Sequence, residues 1–304
     1  MVEMARAEER DAQTIKLPGG GTVSFAEYGD AGGAPVLALH GAPASRLMFA
    51  LADQAARRLE LRLLAPDRPG YGFTPADGRP SLASRAAWLS RVADALGLER
   101  FAILAISGGA PYGVALASRL GERVSALALI SPMGPVADYM ATEAAGNHPL
   151  GLLHRCFFLS LPRREWLIGS LAGLARRLFL AAPARFGGAF ARALSGADAQ
   201  LLARPHVRDA LVAVTREGLR SGPRGGILDL SIYAAPWGVD YRAITAPAIV
   251  WQGLADRIVP MPAALHLASL IPRCRLVELD GAGHFWVLDH VEEVLSELSK
   301  LMRP

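Results

Sequence analysis

Lysine, cysteine and long uninterrupted apolar runs are scarce in this chain of 304 residues. Lysine occurs only at Lys16 and Lys300, so arginine supplies almost all of the positive charge, and the formal net charge is only +4. No cluster of basic residues alternates with aromatic residues, which argues against nucleic-acid binding. We therefore interpret the slight basic excess as a property of the solvated surface.

The two cysteines, Cys156 and Cys274, lie far apart and do not have the spacing of metal ligands. We expect both to be buried or half-buried thiols, as in a reducing compartment. Five histidines also lack ligand spacing and are expected to face solvent or to be structural: His148, His154, His206, His266 and His290. The sequence therefore predicts no metal site.

The chain has no segment that resembles a targeting signal or a membrane span. Its first 13 residues are polar and charged, without the apolar core of a signal peptide. The apolar stretch 171–194 contains four arginines, which excludes an ordinary membrane span. We expect a soluble, cytoplasmic protein, a monomer or homodimer, that acts on a small-molecule substrate and binds neither nucleic acid nor membrane.

Apolar residues are abundant, at 52% of the chain, and their spacing divides the chain into three parts. In residues 1–133, an opening hairpin is followed by alternating strands and helices, which predicts a mostly parallel sheet flanked by helices. Residues 134–243 have helical spacing and almost no strand pattern. Residues 244–304 return to strands and end in an amphipathic helix. The sequence predicts an α/β fold with a helical segment inserted after the sixth strand.

The segment 101–113 combines a strand, a sharp turn and a helix. Six apolar residues precede Ser107, two glycines follow it, and a proline stands in the first turn of the next helix. Such a turn crowds the side chains two residues before and after it, which are those of Ala105 and Gly109. It exposes the Ser107 hydroxyl and turns the Gly108 N–H outward at the helix start, where negative charge is favoured.

Two other structures are compatible with the same residues. One is an ordinary glycine turn after a buried strand. The other is a phosphate-binding turn, which is disfavoured because no G-x-G-x-x-G is present and no lysine follows the glycines. The sequence therefore predicts no cofactor.

Ser107, Asp256 and His284 each follow the C-terminal end of a predicted strand, which places them at one edge of a parallel sheet. Acyl transfer needs a nucleophile, a base that takes its proton and a carboxylate that orients the base. These side chains supply the three groups in the chain order serine, acid, histidine. Asp138, eight residues past the sixth strand, is an alternative acid.

These motifs together resemble the α/β-hydrolase family over nearly the whole chain, from about residue 14 to residue 301. The turn at Ser107 is similar to the nucleophile elbow, G-x-S-x-G, with Ala105 in place of the first glycine. The loops 40–43 and 67–72 resemble the family's His-Gly and D-x-x-G-x-G loops. The combination of 67–72, 107–112 and 236–240 is similar to an esterase-like bacterial branch.

The resemblance implies roles for further residues. Backbone N–H groups of Ala42 and Gly108 would form the oxyanion hole, and residues 134–243 would form a cap over the site. We expect Asp67 and Arg68 to hold their loop by ion pairs, and His40 to be a hydrogen-bonding residue more than a base. Candidates for the substrate pocket are His40, Tyr112, Phe157, Phe158, Trp237 and Phe285.

The leading hypothesis is a serine hydrolase that cleaves a carboxylic ester, thioester or lactone of a small, apolar substrate through an acyl-enzyme on Ser107. C–C bond hydrolysis and aminopeptidase activity are the alternatives within the fold. A peptidase would need an acidic cluster in the cap, whereas Asp198, Asp209 and Glu217 are scattered at helix-surface spacing. A non-catalytic ligand-binding protein is the alternative from another class.

Overall fold

The computed structural model describes residues 13–78, 80–142, 152–160, 164–194 and 196–303. Within these residues, eight strands form one sheet in the order β1-β2-β4-β3-β5-β6-β7-β8. The strands are β1 Gln13–Lys16, β2 Thr22–Gly29, β3 Ala34–Leu39, β4 Leu61–Pro66, β5 Phe101–Ile106, β6 Val124–Ile130, β7 Ala248–Gly253 and β8 Cys274–Leu279. The predicted α/β fold is confirmed.

The direction of the strands brings four loops to one edge of the sheet. β1 and β2 form the predicted hairpin, and β2 is antiparallel to β4. From β4 to β8 all neighbours are parallel. β5 and β6 are apolar almost throughout because helices cover both faces of the sheet. The loops after β3, β5, β7 and β8 therefore emerge on the same side.

Helices of the core pack on the two faces of the sheet. They are α1 Asp53–Arg58, α2 Leu82–Ala95, α3 Ala110–Leu120, α11 Met261–Leu270 and α12 Val287–Met302. Leu89, Leu116 and Leu267 of α2, α3 and α11 belong to one apolar core. Ala56 and Leu295 of α1 and α12 belong to the other. The amphipathic spacing of residues 45–60 predicts one helix there, but the structure has a 3₁₀ segment, Arg46–Ala52, before the shorter helix α1.

The segment between β6 and β7 is helical, which confirms a helical insertion after the sixth strand. Its helices are α4 Val136–Thr142, α5 Leu152–Arg155, α6 Glu165–Ala181, α7 Pro183–Ala193, α8 Gly196–Ala203, α9 Pro205–Gly218 and α10 Arg224–Tyr233. The spacing of apolar residues predicts helices at 150–159, 164–180, 189–194, 197–202 and 207–219 in this segment, so α10 has no predicted counterpart. The domain boundaries at 133/134 and 243/244 stay predictions.

Among the described residues, no single helix is long and apolar enough to cross a membrane. Only α6 and α7 taken together reach the required length and composition, and they are bent by 114° at their junction.

Candidate active site

Ser107 occupies the sharp turn between β5 and α3. Its φ is +52°, in the left-handed region, and Ser107–Gly109 form a single 3₁₀ turn. This conformation costs a residue with a side chain about 1–2 kcal/mol. It ends the strand at one residue and places the hydroxyl at the sheet edge, although only 9% of the residue is exposed.

The small residues around Ser107 are explained by close packing. A Cβ built on Gly109 would lie 2.8 Å from the carbonyl oxygen of His40. A Cβ built on Gly113 would lie 3.1 Å from the Cβ of Ala105. The Ala105 methyl therefore occupies space that Gly113, in the first turns of α3, leaves free. Alanine can therefore replace the first glycine of G-x-S-x-G in this chain, because residue 113, which faces it, is a glycine.

His284 lies between Ser107 and Asp256. Its Nε2 is 3.1 Å from the Ser107 Oγ, and its Nδ1 is 2.7 Å from Asp256 Oδ2. The other oxygen of Asp256 accepts the N–H groups of Ile258 at 2.8 Å and Val259 at 3.2 Å. The carboxylate is thus fixed by the backbone of its own loop, and the imidazole is fixed by the carboxylate.

The electrostatics of this chain favour a base at His284. Burial lowers the pKa of His284, but the Asp256 carboxylate, with a smaller contribution from Asp198, raises it above its ordinary value of 6.5. Burial raises the pKa of Asp256, but His284 and two N–H donors lower it below its ordinary value. Asp256 is therefore ionised, and the imidazole can accept a proton from Ser107.

The N–H groups of Ala42 and Gly108 lie on loops that touch, since a Cβ on Gly108 would be 3.0 Å from the Ala42 Cβ. In a trans peptide the N–H points opposite to the preceding carbonyl. The Ser107 carbonyl accepts the N–H of Met133 at 3.0 Å, which aims the Gly108 N–H the other way. Gly108 begins a helix, where N–H groups have no intrahelical acceptor.

The carbonyl that precedes the Ala42 N–H is also held. The Gly41 oxygen lies 2.7 Å from His40 Nδ1 and 3.2 Å from Arg68 Nη2. His40 Nε2 accepts the backbone N–H of Arg68 at 3.2 Å. The side chains of His40 and Arg68 therefore fix the orientation of the Gly41–Ala42 peptide plane, and the Ala42 N–H is directed away from Arg68.

A buried polar cluster, which we call the Arg68–Asp229 cluster, supports this loop. Arg68 Nη2 lies 2.6 Å from Asp229 Oδ2, and Arg68 also donates to the His40 carbonyl. Asp229 further accepts the hydroxyls of Tyr71 at 2.6 Å and of Tyr112, and the Tyr233 hydroxyl oxygen lies 3.2 Å from its Oδ2. Arg68 and Asp229 are 1% and 3% exposed. Asp229 belongs to α10, so the cluster joins the insertion to the core.

Charge within the cluster sets the protonation of its members. Burial, then the Asp229 carboxylate, raises the pKa of Tyr71, Tyr112 and Tyr233 well above the usual range, so their hydroxyls are donors. Burial, then Arg68, lowers the pKa of His40 well below its ordinary value. His40 is therefore neutral, and its hydrogen bonds confirm the structural role predicted for it.

A second ion-pair group joins α9 to the core. Arg46 Nη1 lies 2.7 Å from Asp67 Oδ2 and 2.8 Å from Glu217 Oε1. Together with Arg68–Asp229, this confirms that Asp67 and Arg68 hold their loop by ion pairs.

Asp198, in α8 of the insertion, contacts the loop of His284. It accepts the backbone N–H groups of His284 and Phe285, both at 2.9 Å, and is 1% exposed. The sequence placed Asp198, Asp209 and Glu217 on helix surfaces. This was wrong for Asp198 and Glu217, which are buried, because their partners are on distant loops that helical spacing does not reveal.

The candidate pocket residues lie in three different environments. Tyr112 and His40 are enclosed in or beside the Arg68–Asp229 cluster. Phe158 and Trp237 belong to the apolar core, and the exposed Phe157 packs edge-on against Phe158 at 5.0 Å. The ring of Phe285 lies 5.3 Å from that of His284 and 6.3 Å from Phe190 of the insertion. Their contact with substrate stays a prediction.

The remaining sequence candidates lie elsewhere. Asp138 accepts the Trp237 N–H at 3.2 Å, so Asp256 is the carboxylate on His284. No group of residues in the described ranges is arranged to hold a metal ion. His148 lies outside those ranges.

Cys274 is half-buried, and burial raises its pKa to about 11. Cys156 is exposed, contrary to expectation, on a short π-helical segment of the insertion.

Sequence reasoning missed the contacts that Asp198, Asp229 and Tyr233 make with the core. Asp229 stands alone as a charge in the otherwise mostly apolar stretch 227–233, and this is the signal that could have identified it. The hydroxyl of Tyr233 donates to the Gly108 carbonyl at 2.8 Å, directly beside Ser107.

The chain belongs to the α/β-hydrolase fold family, whose model matches residues 34–291. It is 31% identical over 267 residues to 2-hydroxymuconate semialdehyde hydrolase of Pseudomonas putida, covering 86% of this chain and 84% of that protein. It is 30% identical over 285 residues to an uncharacterized hydrolase of Bacillus subtilis, covering 91% and 92%.

Among solved structures, an alpha/beta hydrolase fold protein from Nakamurella multipartita superposes with a TM-score of 0.69 at 27% identity, covering 96% of this chain and 99% of that one. The protein is therefore an enzyme, a hydrolase of this family.

Proposed function

We propose that this enzyme is a serine hydrolase that cleaves a carboxylic ester, thioester or lactone of a small, apolar molecule through an acyl-enzyme on Ser107. The observation that carries the proposal is the buried hydrogen-bond chain from Ser107 Oγ through His284 to Asp256. At its Ser107 end, this series of hydrogen bonds lies next to the backbone N–H groups of Gly108 and Ala42. The peptide planes of both groups are fixed by hydrogen bonds to other parts of the protein.

In this mechanism, His284 Nε2 takes the proton of Ser107 while Oγ attacks the carbonyl carbon. The N–H groups of Gly108 and Ala42 stabilise the oxyanion that forms. His284 then returns the proton to the leaving group. A water molecule next attacks the acyl carbonyl while His284 takes its proton, and the bond to Ser107 Oγ breaks as His284 gives that proton to Oγ and the acid is released. Asp256 orients His284 and stabilises its charged form.

An apolar substrate is supported by the surroundings of His284. The aromatic ring of Phe285 lies beside it, and the ring of Phe190, from the insertion, lies beside that of Phe285. We propose that the insertion covers the site as a cap and restricts the entry of water.

C–C bond hydrolysis is a second candidate because the name of the Pseudomonas putida relative describes a substrate without an ester. Aminopeptidase activity has less support. A peptide ammonium needs free carboxylates, but Asp198 and Glu217 are engaged with core residues, and Asp209 is 3.5 Å from Arg208.

The test is intact-mass spectrometry after reaction with a fluorophosphonate, on the wild type and Ser107→Ala. One adduct on the wild type and none on the variant is expected, with turnover of p-nitrophenyl esters lost in parallel. A chain-length series of these esters measures the acyl pocket, and a vinylogous 1,5-diketone acid tests C–C cleavage. No adduct and no turnover would contradict the proposal and favour a ligand-binding protein.

A further inference from the structure

We propose that Asp198 of the helical insertion is a positioning residue for His284. Its carboxylate holds the loop of His284 in the arrangement where the imidazole bridges Ser107 and Asp256. The catalytic centre would then be complete only while the insertion is docked on the core. This inference rests on the proposed serine hydrolase mechanism.

The contact is a two-point attachment of a side chain to a backbone. Asp198 Oδ2 accepts the N–H of His284, and Oδ1 accepts the N–H of Phe285, each at 2.9 Å. Position 283 must be glycine for this approach, because a Cβ there would overlap the carboxylate. The side chain is shielded from solvent, since Asp198 is only 1% exposed.

The loop needs such an acceptor because of its place in the fold. It joins β8 to α12, and α12 begins at Val287. Backbone N–H groups just before and within the first turn of a helix have no intrahelical acceptor, and the positive end of the helix dipole attracts a carboxylate. Without Asp198, the buried N–H groups of His284 and Phe285 would lose their acceptor.

The other side of the same loop is held by the core. Ser131 Oγ donates to the carbonyl of His284 at 3.1 Å. The backbone of His284 is therefore held at its carbonyl by the core and at its N–H by the insertion. Loss of either contact allows the imidazole to shift relative to Ser107.

The docking of α8 on this region involves more than one residue. Phe285 and Leu288 pack against an apolar cluster of the insertion that includes Leu201 and Leu202 of α8. At the surface, Arg204 Nη1 lies 2.8 Å from Asp289 of α12. The position of α8 and that of the His284 loop are therefore coupled.

The negative charge of Asp198 affects the pKa of His284, which a packing contact alone would not do, so the contact can be followed by a pH profile. The carboxylates that act on His284 are Asp256, from the β7 loop, and Asp198, from the insertion, and the Ser107 hydroxyl faces it from the elbow. Asp198 contributes to raising the pKa of His284. Its neutralisation should lower that pKa.

The experiment compares Asp198→Asn with Asp209→Asn, the same chemical change at an exposed position of the insertion. The hydrolysis of a p-nitrophenyl ester is followed from pH 5 to 9. For Asp198→Asn we expect kcat to fall on the order of 10- to 100-fold, with little change in KM, because His284 is misplaced. The acid limb of its kcat/KM profile should move to lower pH. Asp209→Asn should match the wild type.

Asp198→Glu separates position from charge, since it keeps the carboxylate but lengthens the side chain. It should lose kcat while its acid limb stays near that of the wild type. An unchanged kcat and acid limb in Asp198→Asn would overturn the inference. Loss of kcat without a shift of the limb would reduce Asp198 to a purely structural residue and would also overturn it.

Hydrogen exchange of the wild type provides a test that needs no folded variant. The amides of His284 and Phe285 should be protected and should open together with those of α8. Fast exchange of both amides while α8 stays protected would refute the inference. If the wild type gives neither a fluorophosphonate adduct nor turnover, the proposed function fails. If it reacts and Asp198→Asn reacts equally well, only the role of Asp198 fails.

Discussion

The substitution Asp229→Asn removes the negative charge of the Arg68–Asp229 cluster while keeping nearly the same shape. Asp229 accepts hydrogen bonds from three side chains, Arg68, Tyr71 and Tyr112, and the amide nitrogen that replaces one of its oxygens accepts none. Arg68, 1% exposed, would keep its charge without a counter-ion. Removing one partner of a buried ion pair costs about 3–5 kcal/mol. We expect the free energy of unfolding to fall by that amount.

The matched control is Glu27→Gln, which makes the same change in a partly exposed pair near the surface. Arg62 Nη2 lies 2.9 Å from Glu27, and exposed pairs contribute about 0–1 kcal/mol. Urea unfolding followed by circular dichroism measures the free energy of unfolding of both variants. An unchanged slope of this free energy against urea concentration shows that the unfolded states are comparable. If Asp229→Asn costs no more than Glu27→Gln, the cluster is not a desolvated ion pair and our account of the Ala42 loop is wrong.

Three further predictions concern the elbow and its base. The kcat/KM of ester hydrolysis should fall as the pH drops through the pKa of His284, because His284 must be neutral to act as a base. The midpoint should lie above 6.5, since Asp256 raises this pKa, and a midpoint below 6.5 would contradict the prediction. Ser107→Gly and Ser107→Ala should both abolish turnover. Thermal unfolding should show the Ser107→Gly variant to be about 0.5–1 kcal/mol more stable than the Ser107→Ala variant, because φ at this position is +52°. Gly113→Ala adds a methyl group 3.1 Å from the Ala105 Cβ, so its effect on the free energy of unfolding should be coupled to that of Ala105→Gly, with the added methyl tolerated better when position 105 is glycine; additive effects in this double-mutant cycle would argue against contact of the two positions.

The sheet and the three residues of the proposed triad were accessible from the sequence. Strands that are buried on both faces are continuous apolar runs, and β5 is such a run. Ser107, Asp256 and His284 were identified because each lies within a few residues after the end of a strand, and the ends of parallel strands meet at one edge. These relations are local in the sequence, so a single chain reveals them.

The contribution of the insertion was not accessible in this way. Asp198 is 86 residues from His284, and Asp229 is 161 residues from Arg68. Helical spacing indicates which face of a helix is apolar, but not which core loop lies opposite a single carboxylate. α10 was missed because glycines follow its first residue and weaken the helical pattern.

If the insertion covers the site as proposed, its exchange between relatives becomes a route to new substrate ranges. Here residues 134–243 carry three buried carboxylates with partners in the core, Asp198, Glu217 and Asp229. A chimera that omits them would leave Arg68 without its counter-ion, Arg46 with one carboxylate fewer, and the His284 loop without its acceptor, whatever pocket it acquired. A transplant should therefore retain an acid at all three positions, and the three form a minimal compatibility rule for engineering this enzyme.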